Sequence, residues 1–372
     1  MSEKDREVAT RVVHVSAASG AYDVHVGAGV LGDVGAIARA AAGGGRCCVV
    51  TETNVGPLYA DAVEASLAAA GYDVAGRLVF AAGEEHKTLA TLGTLLEGLA
   101  ERELTRDDVV VALGGGVTGD MGGLAAALYL RGVRVVQVPT SLLAMVDSSV
   151  GGKTAVDLAA GKNLVGAFWQ PAAVVVDVRC LRTIPRDLLV DSVGEVVKHA
   201  VLADPALLDD LTRDPLVSDG LDEGRLVDVV ARNVEIKRDV VDADEREAGL
   251  RQTLNLGHTV GHAIEAASGF ALGHGSCVSA GLCIVARASA AKGWCSDETA
   301  ARIVAAVAAQ GLPTGTDLAT DVLLGYMSHD KKRHADAVNV VVPERMGSAR
   351  VRRVSLAELG ELVDLGCEGV DA

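Results

Sequence analysis

The first half of the chain alternates between short apolar runs and longer stretches in which apolar residues recur every three or four positions. Short apolar runs between turn residues predict buried strands, and the longer period predicts amphipathic helices. Residues 11–26 alternate as a β-hairpin that turns at Ala-Ala-Ser-Gly. The elements predicted after the hairpin are a helix at 30–42, a strand at 46–51, a helix at 58–70, a strand at 78–81, a helix at 89–101, a strand at 107–113, a helix after 119, and strands at 133–138 and 174–177. Strands that alternate with helices predict a parallel sheet covered by helices.

From about residue 185 the pattern changes to helical periods. Helices are predicted at 188–202, 226–240, 252–267, 277–292 and 296–310, with a little strand signal near 337–342. The chain has 372 residues, which is enough for two cores. The predicted fold class is therefore α/β, with an N-terminal Rossmann-like domain over 1–184 and a mainly α-helical domain over 185–372.

Charge and composition exclude several classes of function. The formal net charge is −16 and no long basic run occurs, which argues against nucleic acid and anionic membranes as partners. No apolar stretch reaches the length of a transmembrane helix, and no apolar run follows the charged N-terminus as in a signal peptide. The seven cysteines are odd in number and lack CxxC spacing, so we expect free thiols and a cytoplasmic protein.

A glycine-rich segment follows the predicted strand at 107–113. Gly-Gly-Gly-Val-Thr-Gly at 114–119 fits GxGxxG and opens a predicted helix, which is the context that a dinucleotide pyrophosphate needs. The match is incomplete, because no acidic residue ends a strand about 20 residues later. Glu52, just past an earlier strand, could bind the ribose instead. A tight turn without a ligand is the alternative.

Two further glycine-rich segments place lysines after the fourth predicted strand of the parallel sheet. They are Asp-Ser-Ser-Val-Gly-Gly-Lys-Thr at 147–154 and Gly-Lys-Asn at 161–163. Ser148 stands where a Walker A loop requires glycine, so such a loop is not expected. Backbone amides and ammonium groups in loops would still suit one phosphate. A solvated loop is the alternative.

Segment 250–262 carries polar residues at spacings of four, three and four, namely Arg251, Asn255, His258 and His262. On one helix these residues would form a single stripe, and such a stripe in an apolar neighbourhood predicts a site. The two histidines could chelate one metal ion, although no Glu follows the first as in zincins. His274 follows in a predicted loop, and Glu195 shares a predicted helix face with Lys198. Two imidazoles and one carboxylate suit catalytic zinc, and ordinary core or surface histidines are the alternative.

Together these segments resemble the 3-dehydroquinate synthase family, in the family's order, from about residue 22 to 365. The motifs are GGGVTGD at 114–120, YLRG at 129–132, VPTSLLA at 138–144, VDSSVGGKT at 146–154, GKN at 161–163, EVVK at 195–198, LNLGHTVGH at 254–262 and DKK at 330–332.

The resemblance implies three sets of site residues. The metal ligands would be Glu195, His258 and His274, with His262 facing the substrate instead of the metal. NAD would be bound by Glu52, Asn54, Glu84, Lys87, Gly114, Gly115, Gly116, Asp120, Thr140, Ser141, Asp147, Lys153, Lys162 and Thr183. Catalysis and substrate binding would use Asp147, Lys153, Lys162, Asn163, Lys198, Lys237, Arg251, Asn255, His262 and Lys332. Arg131 would reach the neighbouring subunit's site, which implies a homodimer.

The implied enzyme is a carbon–oxygen lyase of the shikimate pathway that uses NAD and Zn²⁺, with Co²⁺ as a possible substitute. It converts 3-deoxy-D-arabino-heptulosonate 7-phosphate to 3-dehydroquinate and phosphate by transient oxidation, phosphate elimination, re-reduction and aldol closure. Two positions depart from the family pattern: Ser276 stands where Glu is common, and Ser141 where Thr is frequent. The missing carboxylate at 276 could change the surroundings of His274.

Three alternatives remain at this point. Sister cyclases make aminodehydroquinate, 2-epi-5-epi-valiolone or 2-deoxy-scyllo-inosose. Arg251 and Lys237 favour a carboxylated substrate and so count against the neutral-sugar enzymes, but not against the amino analogue. A related zinc- and NAD-dependent polyol dehydrogenase would have no use for a phosphate pocket. A catalytically silent binding protein would have no use for the metal and lysine residues.

Overall fold

The buried apolar strands predicted in the first half form one sheet. The structure, a computed structural model, describes residues 8–218, 220–269, 271–329 and 337–368. It divides into two units, one of residues 1–183 and 222–246 and one of residues 184–221 and 247–372. The fold class predicted from the sequence, α/β with a Rossmann-like part and a mainly helical part, is confirmed.

The strands of the first unit are β1 (Arg11–Ala17), β2 (Gly20–Gly27), β3 (Arg46–Glu52), β4 (Asp73–Phe80), β5 (Val109–Gly114), β6 (Arg134–Pro139), β7 (Lys153–Leu158), β8 (Gly161–Phe168) and β9 (Ala173–Asp177). Seven of them form a sheet in the order β1-β2-β9-β6-β5-β3-β4. The β1–β2 hairpin is antiparallel and the other pairs of this sheet are parallel. Strands β7 and β8 pair only with each other among the described strands.

Helices cover both faces of this sheet. They are α1 (Val34–Ala42), α2 (Gly56–Ala69), α3 (Leu89–Glu101) and α4 (Gly116–Leu128). Along β5, Val109 and Val111 pack in the core with α1 and α2, whereas Val110 and Ala112 pack with α3 and α4. Because successive side chains of a strand point to opposite faces, a strand buried on both faces has to be apolar throughout.

The second unit is built around one central helix. Its helices are α5 (Arg186–Ala203), α6 (Pro205–Arg213), α8 (His258–Ala267), α9 (His274–Ala291), α10 (Asp297–Ala309), α11 (Thr320–His329) and α12 (Leu356–Cys367), and β10 (Ala337–Arg345) pairs with β11 (Ser348–Ser355). Helix α9 is buried along most of its length and contributes Cys277, Ala280 and Ile284 to the core. Helices α5, α8, α10 and α12 pack around it.

The predicted domain boundary at 184/185 describes only part of this division. Helix α7 (Glu223–Ala243) follows the boundary in sequence but belongs to the first unit, where it packs on β1. Asp242 near its end accepts a hydrogen bond from the backbone N–H of Ser16 at 2.8 Å. An amphipathic period predicts that a helix buries one face, but not which unit covers that face.

Two local predictions are wrong, and several elements of the second unit were not predicted. The glycine-rich segments after β6, expected as loops, contain the β7–β8 hairpin. Strand β11 and helices α6, α11 and α12 were not predicted. Residues 252–267 are not one helix, because a 3₁₀ helix over Leu250–Asn255 ends before α8 begins at His258.

The described cysteines are all free, as the sequence predicted. Within the described part of the chain, no helix combines the length and apolar character needed to cross a bilayer.

Gly257 causes the break before α8. Its φ is +81°, a left-handed conformation that L-residues with side chains rarely adopt. A Cβ at this position would also lie 2.7 Å from the carbonyl oxygen of Val278 and 2.9 Å from the amide nitrogen of Leu282, both on α9. Only glycine fits both the turn and the close approach.

We expect Gly257→Ala to destabilise the second unit by about 3 kcal/mol or more, because backbone strain and overpacking add. Gly269→Ala is the matched control, since φ there is +63° but no atom lies within 4 Å of a built Cβ. Strain alone should cost the control about 1 kcal/mol. Urea unfolding of both variants would measure the difference, and equal unfolding midpoints would contradict the packing argument.

Candidate functional site

In the second unit, helix α5 carries a carboxylate and an ammonium that are both buried. Glu195 is 1% exposed and Lys198 is 2% exposed. Their charged groups form an ion pair one helical turn apart, as the shared helix face predicted. Buried charges are costly unless they are paired, so this pair marks a functional position more strongly than a surface pair would.

Two imidazoles meet the carboxylate of Glu195. His258 begins α8 and His274 begins α9, and the Nε2 atom of each lies 3.5 Å from Oε1 of Glu195. His274 is therefore the first residue of this helix. The sequence had predicted that it lies in a loop before the helix, and that prediction is wrong. Three helices thus bring the predicted ligands Glu195, His258 and His274 together.

The second nitrogen of each ring is held by an acceptor. Nδ1 of His258 lies 3.2 Å from the main-chain oxygen of Leu256, and Nδ1 of His274 lies 3.4 Å from Oε2 of Glu265. A carbonyl or carboxylate oxygen accepts the Nδ1 proton, which leaves the Nε2 lone pair for a metal ion. A carboxylate and two such imidazoles are suitable donors for zinc.

The same neighbours set the protonation of the rings. Burial holds the pKa of His258 well below 6.5, although Glu195 acts to raise it. Burial also acts to lower the pKa of His274, but hydrogen bonds to Glu195 and Glu265 raise it to about 10. A metal ion at Nε2 would take the place of the proton that this carboxylate-rich environment otherwise favours.

His262 lies beside this pair but differs in exposure. Its imidazole is exposed. Each of the three rings has one nitrogen that lies within 4.8 Å of a nitrogen of the other two, namely those of His258, His262 and His274. Four donors therefore meet in this region: one carboxylate and three imidazoles. The two partly buried histidines, His258 and His274, contact Glu195, whereas the more accessible ring of His262 suits contact with a substrate.

The prediction that four polar residues form a stripe on one helix is wrong, because Gly257 separates the first two residues from the last two. Arg251 and Asn255 lie on the 3₁₀ helix, and the two histidines lie on α8. Arg251 is 1% exposed. The side-chain amide of Asn255 donates to Oε1 of Glu247 at 2.8 Å.

In the first unit, the glycine-rich turn lies between β5 and α4. The helix begins at Gly116, within the glycine-rich segment and not after residue 119 as predicted. A Cβ at Gly115 would lie 3.4 Å from Oγ of Ser141, and one at Gly116 would lie 3.2 Å from Oγ of Ser148. The turn thus presents bare backbone and helical N–H groups beside two hydroxyl groups, which suits a pyrophosphate.

A buried ion pair lies near this turn. The ammonium of Lys87 is 2.6 Å from Oδ2 of Asp120 and 2.6 Å from Oδ1 of Asn163. Glu84 is more distant, with its Oε1 3.8 Å from Lys87 and 3.9 Å from Lys162. Burial acts to lower the pKa of Lys87, but Asp120 and Glu84 raise it above its ordinary value. Burial raises the pKa of Asp120 to about 6, against the attraction of Lys87.

A second pair joins α7 to the π-helical turn over Ala144–Ser148. The ammonium of Lys237 donates to the main-chain oxygen of Asp147 at 2.5 Å and to its Oδ1 at 2.8 Å. Lys237 is 5% exposed. This contact places Lys237, a predicted substrate-binding residue on a helix that follows the predicted boundary, within the first unit.

The remaining residues predicted to bind NAD lie at ends of strands or in loops of the first unit. The carboxylate of Glu52 accepts backbone N–H groups of Asn54 at 2.6 Å and Val55 at 2.9 Å, so its oxygens already hold the turn after β3. Asn54 is exposed. Thr140 is buried after β6. The hydroxyl of Thr183 bonds that of Tyr59 at 2.7 Å.

The basic residues differ in placement. Lys153 begins β7, and Lys162 and Asn163 lie on β8; all three residues are exposed. Asn163 has a φ of +56°, and its backbone N–H donates to Asp157. Arg131 is exposed, with a φ of +66°. Lys332 lies outside the described residues.

Three carboxylates around the second-unit residues were not predicted from the sequence. Glu247 accepts from Asn255, Glu265 accepts from His274, and Asp191 accepts the backbone N–H groups of Gly275 and Ser276. Helical spacing could have indicated two of them. Glu265 lies seven residues after His258, and Asp191 lies four residues before Glu195, so each shares a helix face with a predicted ligand.

Comparisons with known proteins show similarity along most of the chain. The family model for the 3-dehydroquinate synthase N-terminal domain matches residues 77–191, and the model for the C-terminal domain matches residues 192–333. The 3-dehydroquinate synthase of Citrifermentans bemidjiense is 41% identical over 348 residues, which cover 92% of this chain and 95% of the relative.

Two solved structures share the fold. A 2-deoxy-scyllo-inosose synthase complexed with carbaglucose-6-phosphate, NAD⁺ and Co²⁺ has a TM-score of 0.85 at 24% identity, over 95% of this chain and 99% of the other. The 2-epi-5-epi-valiolone synthase of Streptomyces hygroscopicus subsp. jinggangensis, with NAD⁺ and Zn²⁺ bound, has a TM-score of 0.83 at 25% identity, over 96% and 99%.

We expect the carboxyl group of Asp120 to titrate near pH 6. Lys87→Met should raise this midpoint, because an attraction that lowers it is lost. A pH series of carboxyl ¹³C shifts, assigned with Asp120→Asn, would measure it, with Lys292→Met as the control. A wild-type midpoint near 3.8, or no change in Lys87→Met, would contradict the description.

The sign of the linked stability change follows from the raised pKa of Asp120. The folded chain holds this proton more tightly than the unfolded chain. The contribution of Asp120 to stability is therefore fully present below pH 3.8 and is lost as the pH rises through about 6.

Proposed function

The chain belongs to the 3-dehydroquinate synthase family, and we propose that it converts 3-deoxy-D-arabino-heptulosonate 7-phosphate to 3-dehydroquinate and phosphate. The observation that carries this proposal is the sequence identity of 41% with a 3-dehydroquinate synthase, over 92% of this chain. The chemistry of two clusters of polar residues supports it. One cluster lies in the first unit and the other lies in the second.

Glu195, His258 and His274 are the proposed zinc ligands. The support is chemical: the three are donors that zinc prefers, and each ring keeps Nε2 available because Nδ1 faces an oxygen. Bound zinc would supply Lewis acidity toward a substrate oxygen. Lys198 would neutralise part of the ligand charge, and the exposed ring of His262 would contact the substrate.

The proposed NAD residues lie around the turn after β5. Gly114, Gly115 and Gly116 would let the backbone approach the pyrophosphate, and the first N–H groups of α4 would point at it. NAD would accept a hydride and return it, so the cofactor would be needed only in catalytic amounts. The buried pair of Lys87 and Asp120 would order the neighbouring wall of this site.

Anion recognition is assigned to the basic residues. In the first unit, Lys153, Lys162 and Asn163 are proposed for the phosphate because all three are exposed on the β7–β8 hairpin. Lys153 lies at its open end, opposite Phe168, and Lys162 and Asn163 lie beside its turn. Asp147 and Lys237, bonded to each other, are proposed to belong to the same site. In the second unit, the buried guanidinium of Arg251 is proposed for the carboxylate, with Asn255 beside it.

The family also leads us to propose a homodimer in which Arg131 serves the neighbouring subunit. Arg131 lies in a short turn, where Leu130 and Arg131 both have positive φ. Leu130 is 39% exposed although it is apolar. A single exposed apolar side chain is common on protein surfaces, so the dimer proposal rests on the family and on the strained backbone of this turn.

Two groups of alternatives are less well supported. The cyclases of neutral sugar phosphates share the fold at 24–25% identity, well below the similarity to the dehydroquinate synthase relative. A polyol dehydrogenase would not need Lys153, Lys162 and Asn163 together. Aminodehydroquinate synthase also acts on a carboxylated substrate, so only an enzyme assay distinguishes it from the proposed function.

The metal assignment predicts different outcomes for two neighbouring histidines. His258→Ala should lose bound zinc and activity together, because it removes a ligand. His262→Ala should keep zinc and lose turnover. Metal analysis of the purified variants measures this, with NAD binding as a check that the first unit is intact. Full zinc occupancy in His258→Ala, or loss of zinc in His262→Ala, would overturn the ligand set.

The substrate assignment is tested by turnover with trace NAD. Wild type should release phosphate and dehydroquinate from 3-deoxy-arabino-heptulosonate 7-phosphate, and should leave sedoheptulose 7-phosphate and glucose 6-phosphate unchanged. Substituting Arg251 by Ala should lower kcat/KM by roughly 30- to 1,000-fold, through the loss of about 2–4 kcal/mol of charge-assisted binding.

Variants control for folding in this assay. Arg251→Lys keeps the charge but loses the planar fork, so it should lie between wild type and Arg251→Ala. Arg353→Ala removes an exposed arginine of the same unit and should behave as wild type. Efficient cyclisation of sedoheptulose 7-phosphate, or a silent Arg251→Ala, would reject the carboxylated substrate. Faster turnover of the amino analogue would favour aminodehydroquinate synthase.

A further inference from the structure

We propose that Glu265 and Asp191 are positioning residues for His274, and that they supply from two neighbouring helices the support that Ser276 does not. Glu265 holds the imidazole ring, and Asp191 holds the backbone that carries it. The inference rests on the proposed function, in which His274 is a zinc ligand.

Glu265 acts on the ring. It lies on α8 and is 7% exposed, and its Oε2 is 3.4 Å from Nδ1 of His274. An ionised carboxylate only accepts hydrogen bonds, so it selects the tautomer with the proton on Nδ1. Nε2 is then the ligand atom, and it lies on the side of the ring that faces Oε1 of Glu195, 3.5 Å away.

Asp191 acts on the backbone. Its Oδ2 accepts from the N–H of Gly275 at 3.1 Å, and its Oδ1 accepts from the N–H of Ser276 at 2.7 Å. These two N–H groups belong to the first turn of α9, which begins at His274. Gly273, at the N-cap of α9, has no side chain to cap the helix, so the cap comes from α5.

Glycines make this contact possible. A Cβ at Gly273 would collide with the carboxylate of Asp191, and a Cβ at Gly275 would collide with the main-chain oxygen of Asp191. On the facing helix, a Cβ at Gly194 would collide with the main-chain oxygen of Gly275. The start of α9 is therefore pressed against α5 at the turn that bears Glu195.

Helices α5 and α8 thus each carry one proposed zinc ligand and one carboxylate that positions His274. On α5, Asp191 precedes the ligand Glu195 by four residues, and on α8, Glu265 follows the ligand His258 by seven residues, so both pairs share a helix face. A carboxylate at position 276 would add charge beside a ring and a backbone that are already held. The serine there leaves only its backbone N–H to the contact.

The first experiment measures zinc affinity by competition with a chromophoric chelator. Glu265→Leu should bind zinc about 10- to 100-fold more weakly than wild type, the usual effect of losing a ligand's hydrogen-bond partner. Glu265→Gln keeps an oxygen that can accept from Nδ1, so it should recover much of the loss. Glu298→Gln, on the exposed start of α10, is the matched control and should bind as wild type.

A spectroscopic measurement separates positioning from general stability. In the cobalt-loaded protein, the visible d–d absorption reports ligand geometry. Both Glu265 variants should change this spectrum, whereas Glu298→Gln should not. If Glu265→Leu does not fold, Glu265→Ala replaces it. Wild-type affinity together with a wild-type spectrum in the folded apolar variant would overturn the role of Glu265.

The role of Asp191 is tested by hydrogen exchange. Asp191→Ala should speed exchange of the Gly275 and Ser276 amides and weaken zinc binding, and Asp191→Asn, which keeps one acceptor, should lie between it and wild type. Unchanged exchange and affinity in Asp191→Ala would overturn the backbone role.

Failure of this inference is distinguishable from failure of the proposed function. A wild type that binds no zinc and makes no dehydroquinate would overturn both. A wild type that does both, with Glu265 and Asp191 variants equal to it in affinity, spectrum and exchange, would overturn the inference alone.

Discussion

The buried carboxylate of Glu195 is the constraint on which the second unit depends. An uncompensated charge at 1% exposure would cost several kcal/mol, so cations and proton donors have to surround it. Lys198 comes from the same helix, and His258 and His274 come from two others. Three helices must therefore converge on one carboxylate, and the glycines along their contacts exist because no side chain would fit there. Compensation of this charge and close packing of the three helices therefore require the same residues to lie together.

Much of the fold follows from apolar periodicity. The strand at 109–114 is apolar throughout because both of its faces are buried, and the helices at 89–101 and 297–309 begin after Thr88 and Ser296, whose side chains accept from the first turn. The β7–β8 hairpin did not follow, because β8 is largely exposed and shows no alternation of apolar residues. Its glycines and lysines are equally typical of a loop. Helix α7 was predicted as a helix but not assigned to its unit, since periodicity does not identify a partner.

The candidate site was predictable in its residue types and less so in its geometry. A stripe of four polar residues requires one unbroken helix, and Gly257 breaks it through a contact with α9 that local sequence does not reveal. The proposed ligands Glu195, His258 and His274 were named from the family resemblance and lie together in the structure. Glu265 and Asp191 were missed although their spacing was visible, because a carboxylate on a helix is usually solvated and draws no attention until its partner is known.

The connectivity of the two units has a consequence for the order of synthesis. The chain passes from one unit to the other after residues 183, 221 and 246. The segment that carries Glu195 is therefore made before the helices that bring its two imidazole partners, and it leaves the ribosome with a carboxylate that cannot yet be buried. The first unit is complete in sequence once residue 246 has been made and can fold while synthesis continues. Residues 184–221 can complete their packing only after α8 and α9 have been made. A nascent chain stopped after residue 246 would therefore carry one complete core together with helices α5 and α6, which would still lack their partners.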